Sequence, residues 1–136
     1  MLNKTGIVTE KYANVSQILF DVKMQTSVGI VVDADAGVAG AGGKKIVKAG
    51  TPLAGDLEAR ETAFTKAVTS GDGSATPYSS TAVGVLLHDV DVTVGDANGT
   101  LLIFGFVNTN RLDETTKGLI DEGVKSSLKM IQFIAG

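Results

Sequence analysis

The chain has 136 residues, 43% of them apolar, with 12 Lys and Arg against 15 Asp and Glu. That length suits one domain, and the apolar content excludes an entirely disordered chain. The net charge of −3 lacks the basic surplus of duplex-binding proteins, the absence of Cys removes disulfides and cysteine nucleophiles, and a single His removes metal sites built on several imidazoles.

Seventeen glycines among many Val, Thr and Ala favour short strands and tight turns over a helical bundle. No apolar run is long enough to span a membrane, and the N-terminus lacks the apolar stretch of a secretory leader, so synthesis in the cytosol is expected. Residues 1–25 have no clear period. Their apolar cluster of Val15, Ile18, Leu19, Phe20 and Val22 suits an N-terminal arm or a first strand. Residues 26–136 read as a single β-rich domain.

Within that domain Val28–Val32 is a β-branched run that predicts a strand. Val38–Gly43 reads as a small-residue loop, and Lys44–Ala49 as a second strand. Gly50-Thr51-Pro52-Leu53 predicts a sharp turn, with Gly50 free to take positive φ and Pro52 biasing Thr51 toward extended geometry. Thr62–Val68 is expected as a strand, and residues 70–77 as a surface loop. Thr81–Leu87, which contains Gly84, has a buried-strand pattern. Val90, Val92 and Val94 alternate with Asp89, Asp91 and Thr93, after a phase slip that predicts a bend near His88 and Asp89. Asn98-Gly99 is a hairpin-turn signal, and Leu101–Val107 reads as the return strand, with Gly105 marking a bulge or a close approach. Arg111–Ser127 predicts one helix, N-capped by Asp113 and packing through Leu119, Ile120, Val124 and Leu128. Gly123 falls on that stripe, where a strand is expected to pass. Lys129–Ile134 closes the chain as a strand.

Motifs for chemistry are weak. The glycine-rich segment fails the phosphate-loop spacing, because Gly43 stands where Lys is needed and Lys45 follows Lys44. Asp89 and Asp91 could share one side of a strand, but nothing else converges on them to hold a hard cation. No nucleophile elbow surrounds Ser79-Ser80. No catalytic residue, cofactor or metal site is expected, and the chain does not read as an enzyme.

Three ordered blocks carry a family resemblance: Ile46–Leu53 with its Gly-Thr-Pro-Leu turn, Ala82–Thr93 with its Val-Gly-Val-Leu strand, and Gly105–Asn108. In that order they resemble the head decoration proteins of tailed bacteriophages, the family typified by that of phage lambda. The resemblance spans about two thirds of the chain; the N-terminal region and the Ala36–Gly43 loop depart from it. It implies a small, mainly β fold with little helix; joined to the reading of the residues, the expectation is a small sandwich or barrel-like domain with one C-terminal helix and an extended N-terminal arm. It further implies a homotrimer on the outer surface of the capsid, bound to the major capsid protein, without catalysis and without direct contact with nucleic acid or membrane. Within the arm Thr5, Gly6, Ile7, Val8 and Thr9 suit strand addition to a capsid sheet. Gly50, Pro52, Gly84, Asn98, Gly99, Gly105 and Gly123 are the expected turn and packing positions. The alternatives are another phage component, such as a head-fibre base or tail protein, and a small-molecule or metal-binding β module.

Overall fold

The computed structural model describes residues 17–136, and the fold is mainly β. Its centre is β10 (Ala97–Asn108), the longest strand among the described residues. One edge of β10 pairs antiparallel with β1 (Thr26–Val32), from Ala97↔Val32 to Phe104↔Thr26. Farther along, Leu19 bridges Val107, and the Phe20 N–H donates to the Phe106 carbonyl. The other edge carries β8 (Gly84–Leu86), antiparallel, and then β11 (Ile131–Ile134), parallel. The sheet continues from β8 through β4 (Pro52–Ala54) to β5 (Thr65–Lys66).

Neighbouring residues on a strand point to opposite faces, and here each face has its own core. Val85, Leu102, Val107 and Ile131 enter one core with Leu112, Ile120, Val124 and Leu128 from the helical region. Leu86 and Leu101 enter the other with Leu53, Phe64, Val32 and Val47. The second core is roofed by a three-stranded sheet in the order β9 (Val90–Asp91), β3 (Lys45–Val47), β2 (Val38–Ala39). A two-stranded ribbon, β6 (Thr69–Ser70) with β7 (Ser79–Ser80), lies beside the helices. It carries an exposed loop that Asp72 closes by accepting from the Ser74 and Thr76 N–H groups.

Several expectations need correction. Asn98-Gly99 makes no turn: Asn98 pairs with Val31 and Gly99 with Ile30 inside β10. A Cβ at Gly99 would lie 2.9 Å from Val32 Cγ2 and 3.0 Å from Val90 Cγ2. Tight packing in the second core explains this glycine, and the turn falls earlier, where Gly95 N donates to the Val92 carbonyl. β9 therefore pairs with β3 and not with β10. Val90 and Val92 are buried, but Val94 is fully exposed because the strand ends before it. The expected strand over Thr62–Val68 shrinks to β5 and a bridge from Phe64 to Val32, leaving Val68 exposed. The Val38–Gly43 loop contains β2 and a short 3₁₀ turn.

The single helix is two, α1 (Glu114–Leu119) and α2 (Glu122–Ser127). The break comes at Asp121, whose carboxylate accepts from the Val124 N–H as an N-cap and from the Thr69 hydroxyl. A side chain that can satisfy an orphan helix-start donor favours a new start over continuation. Asp113 caps α1 as expected, accepting from the Thr115 N–H.

Candidate interaction surfaces

The glycine and proline positions singled out above act mainly as packing points around the central sheet. Gly50 takes φ +95°, and a Cβ there would meet Leu112 Cδ2 at 2.4 Å. It admits the chain to Pro52, which is buried in β4. Gly84 lies where a Cβ would stand 2.5 Å from the Leu102 carbonyl oxygen. Gly123 presses on the β6–β7 ribbon, its Cβ position 2.4 Å from Thr69 Cγ2 and 2.9 Å from the Ser79 carbonyl oxygen. The passing strand expected there is this ribbon. Thr5, Gly6, Ile7, Val8 and Thr9 lie outside the described residues.

The polar cluster around His88 is not assembled as a site. His88 is exposed on a bend. Asp89 accepts from the Ala49 N–H, and Asp91 accepts from the Thr93 hydroxyl and N–H. Those Thr93 bonds, with the Lys44 charge beyond them, hold the Asp91 carboxyl below the usual range. Both carboxylates are thus engaged by backbone N–H groups, Asp91 within its own turn and Asp89 across the fold at Ala49. Among the described residues no group of three His, Asp or Glu is placed to hold a metal ion. No helix among them is long and apolar enough to cross a membrane.

A different surface stands out where β10 ends. Val107 and Leu19 face the helical core, so their neighbours Phe106 and Phe20 face the opposite side of the sheet. Along the first half of β10 that side is filled by the second core. Along the second half the described residues cover it only in part: Gly136 lies against the Phe20 ring, and its N–H donates to the Asn108 side chain. Phe20 is 51% exposed and Phe104 and Phe106 are half-buried, outside both cores. Ile134 joins them, since its register partner Asn108 shares their face. Met24 and Met130, both exposed, flank Gly105: its N–H donates to the Met130 carbonyl, and its Cβ position is 3.2 Å from the Met24 carbonyl oxygen. Of the five phenylalanines only Phe64 is fully buried. The sequence signal was present in Phe20, Phe104 and Phe106, but a strand pattern does not say which half of a face is roofed.

The class defined by these features is a mainly β domain with two cores on one shared sheet and, among the described residues, an aromatic half-face covered only in part. No family model matches the chain, and no curated protein or solved structure matches it.

Proposed function

We propose that this chain is a structural virion protein that binds the outer surface of an icosahedral bacteriophage head as a homotrimer and stabilises the expanded shell against the pressure of packaged DNA. The observation that carries the reading is the aromatic half-face around Phe20, Phe104 and Phe106. Contiguous exposed apolar surface marks a place where protein meets protein, and closed symmetry buries such a surface without leaving a copy of it open. The sequence resemblance supports the same reading. Its three blocks fold as neighbours: the Gly50 turn leads into β4, β4 pairs with β8, and β8 pairs with β10, which contains Gly105–Asn108.

The work asked of such a protein is mechanical. Three copies multiply weak contacts, because once one docks the others bind at high effective concentration. Residues 5–9 would add main-chain hydrogen bonds to a sheet of the major capsid protein, which is the partner proposed here.

The test is light scattering followed by co-sedimentation with expanded empty heads. A trimer that sediments with heads is expected, and deletion of residues 1–14 should leave the trimer folded while abolishing head binding. A monomer that ignores heads overturns the proposal. A trimer that binds tails or fibres and not shells moves it to another phage component.

A further inference from the structure

A second surface has opposite character. Between the outer side of the three-stranded sheet and α1 lies a groove of about 350 Å³. Its position follows from strand alternation. Val47 points into the second core, so Lys44, Ile46 and Lys48 point outward together. Val38 is the register partner of Ile46 and joins it, 55% exposed. Leu119 of α1 completes the apolar floor, and Lys66 of β5 stands on the far wall.

The charge of this groove runs against that of the molecule. Three lysines line it against one carboxylate, Asp113, in a chain whose net charge is −3, and Asp91, the other register partner of Ile46, stands outside the lining on the Lys44 side. Asp113 is already engaged at the start of α1. Lys48 lies 3.9 Å from Asp89, with both side chains about half exposed, so that pair is weak and easily exchanged. Lys44 and Lys48 bracket Ile46 at i−2 and i+2.

We propose that this groove binds an extended acidic segment of a partner protein, with an apolar side chain on Ile46, Val38 and Leu119 and carboxylates two positions to either side. Side chains two apart in an extended chain repeat every ~6.6 Å on one face, so an acid-x-apolar-x-acid segment matches the spacing of Lys44, Ile46 and Lys48. Lys66 adds a third cation for a carboxylate on the opposite side. That the partner is the shell protein rests on the function proposed above; the chemistry of the groove does not.

The experiment is a methyl and amide NMR titration of the full chain with a capped Glu-Ser-Leu-Ser-Glu peptide. A capped Lys-Ser-Leu-Ser-Lys peptide and free glutarate serve as comparison probes. Saturable shifts confined to Val38, Ile46, Leu119 and their neighbours are expected with the acidic peptide alone, weakening at high salt. The double variant Lys44→Gln/Lys66→Gln, changed at exposed positions, should keep its melting temperature and bind about tenfold more weakly. The proposal falls if shifts are absent or scattered, if the lysine peptide binds as well, if glutarate reproduces the shifts, or if the double variant binds unchanged. Failure of the protein to sediment with heads, with peptide binding intact, would remove the virion reading and leave this one standing.

Discussion

The two halves of β10 differ in what lies on their faces. Leu101 and Leu102, in the first half, enter separate cores and are both fully buried. In the second half Val107 is fully buried on one side while Phe106 faces outward on the other. A strand buried on both faces contributes to stability alone. A strand roofed on one face has apolar side chains left for a partner. The contrast teaches that the aromatic half-face is separable from the fold: it can be changed without emptying either core.

The largest test of that contrast is Leu101→Ala. It should cost about 2–5 kcal/mol, read as a lowered denaturation midpoint, because the cavity opens in a closed core. A cost under about 1 kcal/mol would mean that the roof of the second core is loose. Gly123→Leu comes next. With 2.9 Å between its Cβ position and the Ser79 carbonyl oxygen, backbone must move, and overpacking should cost about 1–3 kcal/mol. An unchanged melting temperature would show that the β6–β7 ribbon yields freely. Phe106→Ser sharpens the comparison from the other side. It should change stability by no more than about 1 kcal/mol yet turn the proposed trimer into monomer by light scattering. A large stability loss with association intact would erase the distinction between the halves.

The smallest effect expected is in acid. The Asp91 carboxyl is held below its usual range chiefly by the Thr93 hydroxyl. A depressed folded value means that its contribution is present above the unfolded carboxylate range near ~3.9 and is lost as pH falls through the lower folded value. Asp91→Asn should therefore lower the neutral plateau of the stability profile slightly and flatten its acid limb by the same small amount. A steeper acid limb in the variant would contradict the assignment.

Much of the domain is legible in the residues. The β-branched run at Val28–Val32, the apolar Leu101–Val107 and the Asp113 cap all lie where their local chemistry places them. What was illegible depended on partners distant in sequence. Asn98-Gly99 has the form of a turn, but Val32, Val90 and Leu86 crowd Gly99 and make it a packing glycine. The stripe through Leu119, Ile120 and Val124 satisfied helical spacing, yet Asp121 found both a helix start and the Thr69 hydroxyl. For the interaction surfaces, the aromatic residues were visible in the sequence, but the limit of the roof over β10 was not. The outward row Lys44, Ile46, Lys48 became meaningful only once α1 and Lys66 were seen across from it.

The pairing of β1 with β10 also sets a timetable. Val32 and its partner Ala97 are 65 positions apart, and ribosomes add about 5–20 residues per second. The Thr-Ser-Val-Gly-Ile-Val-Val run of β1 therefore spends several seconds outside the ribosome before its neighbour exists. During that interval it is an unpaired, β-prone edge. Expression yield should then fall when elongation is slowed between these two strands, and recover when a holdase chaperone is supplied.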